Sequence, residues 1–127
     1  MSTSYSDILR IYIRAWRFRE QANKLISTGK LKEAYELLIK ALVEMVKTLL
    51  LYHGRRPLSV RDLIYVSSMA VEEGLLSPRE YSLIIEAIIG KNLEYKLKQL
   101  NEIINIVEER LRRIDPYLDS QMKLFRY

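Results

Sequence analysis

Cysteine is absent from the 127-residue sequence, and histidine occurs once, as His53. Without thiols the chain cannot form a disulfide framework, use a catalytic thiolate, or hold zinc or an iron–sulfur cluster through cysteine. A single histidine leaves little for binding other metals. We therefore expect no metal and no cofactor, and the simplest role for His53 is to cap the carboxyl end of a helix.

Patterns typical of enzyme active sites are also missing. The sequence has no glycine-rich phosphate loop and no nucleophile elbow. Two pairs of adjacent carboxylates occur, Glu72 with Glu73 and Glu108 with Glu109. Neighbours on a helix point about 100° apart, so neither pair predicts a catalytic dyad. We therefore expect a protein that is not an enzyme.

Long apolar runs and targeting signals are lacking as well. Residues 1–7 do not show the basic and then apolar pattern of a secretory signal, and no apolar run approaches the roughly 20 residues of a membrane span. We therefore expect a cytoplasmic protein that does not enter a membrane. The sequence has few Asn and Gln residues and many Ile, Glu, Lys and Arg residues, a composition that hints at a thermophilic source.

Proline and glycine are scarce, with three and four residues, and the composition of 49% hydrophobic and 29% charged residues predicts one globular domain over residues 1–127. Apolar residues recur every three or four positions and do not alternate, which predicts an all-α fold. We expect a compact antiparallel bundle of about five helices with a short C-terminal tail. The predicted helices cover approximately residues 7–28, 31–52, 60–73, 78–89 and 92–114, and the tail covers residues 115–127.

Three serines mark where helices are expected to begin. Ser6 and Ser59 are predicted N-caps of the first and third helices. Residues 77–80, with the sequence Ser-Pro-Arg-Glu, combine a capping serine, a proline at the first helical position and a reciprocal glutamate. In the tail, Tyr117, Leu118, Leu124 and Phe125 are the predicted anchors.

The first predicted helix has two apolar stripes. The first consists of Ile8, Ile11, Ala15, Phe18, Ala22 and Leu25, and the second consists of Leu9, Ile13 and Trp16. One neighbouring helix cannot cover both stripes. The helix therefore either lies between two elements of its own chain or contacts another chain. We predict the second arrangement, a homodimer whose interface contains Leu9, Ile13 and Trp16.

The net charge is +5, and most of the excess lies in residues 1–30, which have six basic and two acidic side chains. A solvated helix face is the simpler interpretation. A surface that contacts the phosphates of a nucleic acid is the alternative. The residues predicted for that alternative from charge are Arg10, Arg14, Arg17, Arg55 and Arg56. Arg19, which the helical wheel sets among apolar residues, is expected to pair with an acid of its own chain or across an interface, although snorkelling along the helix is the simpler account.

The order of helices and motifs resembles the HEPN superfamily, particularly its archaeal PaREP1-like members. The first two predicted helices, joined at Gly29, resemble the first hairpin of that superfamily. Residues 60–63, with the sequence Val-Arg-Asp-Leu, resemble its third helix, where many members have a His-Asp-Leu step and this chain has Arg61 before Asp62. The resemblance covers about residues 7–114 and implies a helical bundle.

Ribonucleases of that superfamily use an Arg, often followed by Asn, and a His four to six residues later, brought together by two protomers. The corresponding residues here are Lys91, Asn92 and Lys96. As relics of such a site they would hold phosphate, so the resemblance adds them to the predicted nucleic-acid residues. Lysine is ordinarily protonated at neutral pH and cannot then act as a general base, so this departure argues against RNA cleavage.

Our leading hypothesis from the sequence is a non-catalytic, homodimeric helical interaction module whose partner is unknown. The second hypothesis is an RNA-binding protein or a toxin-like ribonuclease. The third is a partner subunit of a small nucleotidyltransferase, a role that the resemblance to the superfamily implies.

Overall fold

The computed structural model of the protein describes residues 4–124, and within that range it contains six helices and no strand. The helices are α1 (Tyr5–Ser27), α2 (Leu31–Tyr52), α3 (Leu63–Glu72), α4 (Pro78–Ile89), α5 (Leu93–Ile114) and α6 (Leu118–Leu124). The prediction of an all-α fold is confirmed. None of these helices is long and apolar enough to cross a membrane.

Two predicted helix starts are wrong. The N-cap of α1 is Ser4, whose Oγ accepts a hydrogen bond from the Asp7 N–H at 3.3 Å, so Ser6 lies inside the first turn. Helix α1 therefore begins at Tyr5, before the predicted start at residue 7. A tertiary contact holds this first turn, because the Tyr5 hydroxyl donates to Asp115 at 2.7 Å. The N-cap of α3 is Asp62 rather than Ser59, since an aspartate carboxylate caps as well as a serine hydroxyl.

The start of α4 is as predicted. The Ser77 hydroxyl accepts from the Glu80 N–H at 3.1 Å, the Glu80 carboxylate accepts from the Ser77 N–H at 2.8 Å, and Pro78 is the first helical residue. The same carboxylate accepts from Arg110 of α5 at 2.6 Å. The capping box therefore also connects α4 to α5.

Helix α2 is the centre of the bundle. It packs against α1, α3 and α5, and residues 41–51 are all buried. Gly29, with a φ of 81°, allows the tight turn that folds α1 back on α2, because this left-handed backbone conformation costs glycine little. Helices α1 and α2 therefore form a hairpin.

The C-terminal segment forms a docked helix that sequence analysis did not predict. Helix α6 packs against α1 and α5. Its Leu118 and Met122 are 0% and 4% exposed. The predicted anchors Tyr117 and Leu124 are instead exposed, and Phe125 lies outside the described residues.

This helix changes the interpretation of the apolar surface of α1. Leu9 is only 5% exposed and belongs to the same buried cluster as Leu118 and Met122, and Trp16 and Ile13 are partly buried against that cluster. Helix α1 thus lies between α2 and α6 of its own chain. Leu9 offers almost no surface to a second copy, so the excess of apolar residues on α1 is not in itself a reason for a dimer.

Candidate interaction surface

The outward side of α1 combines arginines with apolar side chains. A shallow depression of about 520 Å³ runs along this helix. It is lined by Ser6, Leu9, Arg10, Ile13, Arg14, Arg17, Phe18 and Gln21. All of these residues belong to α1. They recur every three or four positions, so they lie on one side of the helix. We call them the α1 face. It contains three of the predicted nucleic-acid residues and two of the predicted dimer residues.

The three arginines of the α1 face are neutralised to different degrees. Arg10 pairs with Asp7 at 3.2 Å, and the Arg10 side chain is 60% exposed. Arg14 lies 3.4 Å from the Glu44 carboxylate of α2. Arg17 is exposed and has no ion pair with any residue from 4 to 124. The α1 face therefore presents net positive charge above a partly apolar surface.

A buried ion pair lies beneath Arg14. The Lys47 side chain is 2% exposed, its ammonium group lies 3.5 Å from Glu44 Oε2, and it donates to the Leu58 carbonyl at 3.2 Å. The Glu44 side chain is 8% exposed. One buried carboxylate therefore faces two cations, one in the core and one at the surface. This arrangement holds Arg14 against α2 and leaves an excess of positive charge.

The other predicted nucleic-acid residues contact different elements. Arg55 pairs with Glu73 at the end of α3, and Arg56 is exposed in the loop after α2. Asn92 caps α5 by accepting from the Tyr95 N–H at 2.9 Å.

The two lysines beside Asn92 also lie away from the α1 face. The ammonium group of Lys96 lies 4.4 Å from the centre of the Tyr35 ring, and Lys91 is exposed at the start of α5. Three of the eight predicted residues thus line the α1 face, and five do not.

The side chains with catalytic potential have structural partners. His53 is the C-cap residue of α2, as expected, and its Nδ1 lies 3.0 Å from the Leu49 carbonyl. Arg19 pairs with Glu108 of its own chain at 2.9 Å, which confirms the expected acid partner. Glu109 pairs with Arg113 at 2.8 Å. Within residues 4–124 no cluster of three His, Asp or Glu side chains could hold a metal ion.

Two tyrosines and one aspartate form a cluster that sequence analysis missed. The hydroxyls of Tyr5 and Tyr52 both donate to Asp115 Oδ2 at 2.7 Å, and the Tyr117 N–H donates to its other oxygen at 3.0 Å. Burial, together with the hydrogen bond to the carboxylate and its charge, raises the pKa of Tyr5 to about 12 and also raises that of Tyr52. Burial alone would raise the pKa of Asp115, but its three hydrogen bonds outweigh this and lower it. The cluster joins α1, α2 and the end of α5.

Replacing Asp115 with asparagine removes the negative charge that, in addition to burial, raises the pKa of Tyr5 and Tyr52. We expect the pKa of Tyr5 to fall from about 12 toward its ordinary value of 10.0. A raised tyrosine pKa stabilises the fold below the pKa of the unfolded chain, and that contribution is lost as the pH rises through the folded value. In the variant this contribution is smaller, so its stability should be lower at neutral pH and should fall less as the pH rises from 10.0 to about 12. Ultraviolet titration of tyrosinate and chemical denaturation at increasing pH measure both effects.

The dependence of stability on pH in the acidic range provides an internal check on this substitution. Because the pKa of Asp115 is lowered in the fold, its contribution is present above the ordinary value of 3.8 and is lost as the pH falls through the lower folded value. That part of the acid dependence should disappear in Asp115→Asn. The exposed substitution Glu102→Gln on α5 is the control, and an equal change in both variants would contradict the assignment.

Comparisons of the chain with protein-family models, with curated proteins and with solved structures find no match in any of the three. Function is therefore inferred from the α1 face and its surroundings.

Proposed function

We propose that this protein is a non-catalytic helical interaction module that binds an acidic surface of a partner protein through the α1 face. The observation that carries the proposal is Arg17, a cation with no ion pair in residues 4–124, which lies beside Arg10 and Arg14 above Ile13. A partner that supplies carboxylates would complement this charge and cover the apolar side chains together. Such complementary charges favour specific and rapid association.

An RNA partner fits the α1 face less well. Single-stranded RNA is recognised by aromatic rings on which bases stack and by cations along the phosphates. The aromatic residue of this face, Phe18, is partly buried, and the Lys40 ammonium group lies 6.0 Å from its ring centre. The five predicted nucleic-acid residues outside the α1 face lie on other elements, so the predicted residues do not form one continuous path for phosphates. RNA binding remains the second candidate function.

A second copy of this chain is also a poorer partner for this face. In a two-fold symmetric dimer the same patch meets itself, so Arg10, Arg14 and Arg17 of both copies would be brought together. Like charges at an interface oppose association. A homodimer would therefore have to use another surface. A different protein, including the nucleotidyltransferase subunit that the resemblance to HEPN proteins implies, can instead carry the opposite charge.

Photo-crosslinking tests the proposed function in cells that express the chain natively. A photoreactive amino acid replaces Gln21, which lines the α1 face and carries no charge. The matched control carries it at Glu102, which is exposed on α5. We expect a crosslink from position 21 to an acidic segment of a different protein, identified by mass spectrometry, and we expect Arg17→Glu to abolish it. Crosslinks to a second copy, to RNA, to a non-acidic segment or to nothing would contradict the proposal.

A further inference from the structure

A groove continues from the α1 face across α2. A cavity of about 370 Å³ opens there between α1, α2 and the residues just before α3. Phe18 of α1 and Ile39 and Val43 of α2 supply its apolar lining, and Arg14 and Arg61 line it from opposite elements. Arg14 and Phe18 also belong to the α1 face, so the two depressions share a border.

A second cavity extends the groove toward α3 and α4. It measures about 510 Å³, and Tyr35, Ile64 and Ile88 supply most of its apolar lining. Ile39, Lys40 and Arg61 line this cavity as well as the first. The two cavities therefore form one continuous groove along the exposed side of α2. We call this the α2 groove.

The spacing of the two cavities matches one helical turn. The α2 residues that line the first cavity are 39, 40, 43 and 44, and those that line the second are 35, 36, 39 and 40. The second set is shifted by four positions from the first, which corresponds to about 6 Å along the helix axis. A helix lying along α2 would place two side chains three or four residues apart at this same spacing.

The charges at the border of the two cavities are positive. Lys40 and Arg61 line both cavities, and neither forms an ion pair with another residue of the described chain. Two of the three nearby carboxylates are used within the fold, Glu44 by Arg14 and Lys47, and Asp62 as the cap of α3. The third, Glu36, lines only the second cavity, so Lys40 and Arg61 together still leave net positive charge along the groove. A ligand with an acidic group between two apolar groups would complement this border.

We propose that the α2 groove binds an amphipathic helix of a partner protein. Two large apolar side chains of that helix, one turn apart, fill the two cavities, and an acidic side chain between them contacts Lys40 and Arg61. Binding of an apolar helix face in a groove is a recurring mode of peptide recognition. The inference rests on the proposed function, because it specifies the acidic partner of the adjoining α1 face.

A synthetic peptide of about 18 residues is the probe, since shorter isolated helices are marginally stable. It contains leucines three and four residues apart on one side and glutamates elsewhere, and a second peptide has lysine at every glutamate position. Fluorescence anisotropy measures binding to the full chain. Amide chemical shifts of the unaltered protein identify the surface, so that the location does not depend on any variant.

We expect the acidic peptide to bind, to shift the amides of residues 39–43 and 61–64, and to bind at least tenfold more tightly than the lysine peptide. Arg61→Glu and Ile64→Asp, both at exposed positions, should each weaken binding at least tenfold. Arg79→Glu is the matched control, because Arg79 is exposed on α4 and lines neither cavity. Equal binding of the two peptides, no binding, or shifts elsewhere would overturn the inference.

One further variant separates this inference from the proposed function. Arg17 lines the α1 face but neither cavity of the α2 groove. Loss of binding in Arg17→Glu but not in Arg61→Glu would place the peptide on the α1 face. That result would overturn the α2 groove as the binding site and leave the proposed function standing. The reverse pattern supports the groove, and the crosslinking experiment tests the α1 face separately.

Discussion

Replacing Glu44 with alanine is expected to lower the free energy of unfolding by about 3–5 kcal/mol, the cost typical of removing one partner of a buried ion pair. Lys47, whose side chain is 2% exposed, would lose its ion-pair partner, and the Leu58 carbonyl would be its one remaining hydrogen-bond acceptor in the described chain. A desolvated ammonium group without a counterion is strongly unfavourable. Urea denaturation measures the loss.

The double variant Glu44→Leu with Lys47→Met is the control. It removes both charges and keeps hydrophobic volume in the core, a change that is often neutral or stabilising by about 1–4 kcal/mol. We therefore expect the double variant to be at least as stable as the unaltered protein. If Glu44→Ala cost less than about 1 kcal/mol, the buried pair would not be an electrostatic unit of the core.

Both substitutions should also affect Arg14. The Glu44 carboxylate is its ion-pair partner across the α1–α2 hairpin, at 3.4 Å, although the Arg14 side chain is 44% exposed. Its pairing in water contributes little to stability. The ion pair with Glu44 instead positions the Arg14 guanidinium group where the α1 face and the α2 groove meet. Stability and binding measurements on the same variants would separate these two effects.

Local sequence patterns predicted most of the helices. Helices α2 and α4 have the predicted bounds, because apolar spacing and the capping box at Ser77 act over a few residues. The start of α3 was wrong because Ser59 and Asp62 are both good caps and their sequence context does not decide between them. Helix α6 was missed because seven residues are too few for a clear periodicity, and its stability comes from burying Leu118 and Met122.

The candidate surfaces were predictable to different extents. The α1 face follows from sequence alone, since Arg10, Arg14 and Arg17 recur at helical spacing beside Ile13. The α2 groove could not be predicted, because Arg61 and Phe18 are 43 positions apart in the sequence and meet only through the packing of the hairpin against the segment before α3. The Asp115 cluster likewise joins residues 110 positions apart.

Replacing both Leu118 and Met122 with aspartate is expected to detach α6 from α1. Truncating one buried leucine or methionine to alanine typically costs about 2–5 kcal/mol, and a buried charge costs more. The short helix should therefore separate while the other five helices stay folded. Trp16 is the only tryptophan of the chain and packs against the cluster that contains both residues. Its fluorescence emission should shift to longer wavelength as water reaches the indole ring.

Detachment of α6 would also expose the flank of α1 that faces it, where the Tyr12 hydroxyl donates to Asp119 of α6 at 2.8 Å. Because exposed apolar patches promote association, we expect the variant to self-associate in light scattering, whereas the unaltered protein should do so less at the same concentration. The matched control places aspartate at Tyr117 and Leu124, which are 71% and 70% exposed, and should leave emission and mass unchanged. Unchanged emission in the Leu118 and Met122 variant would mean that α6 does not cover this flank. If the Leu118 and Met122 variant and the control self-associated to the same extent as the unaltered protein, the surface that mediates self-association would lie elsewhere.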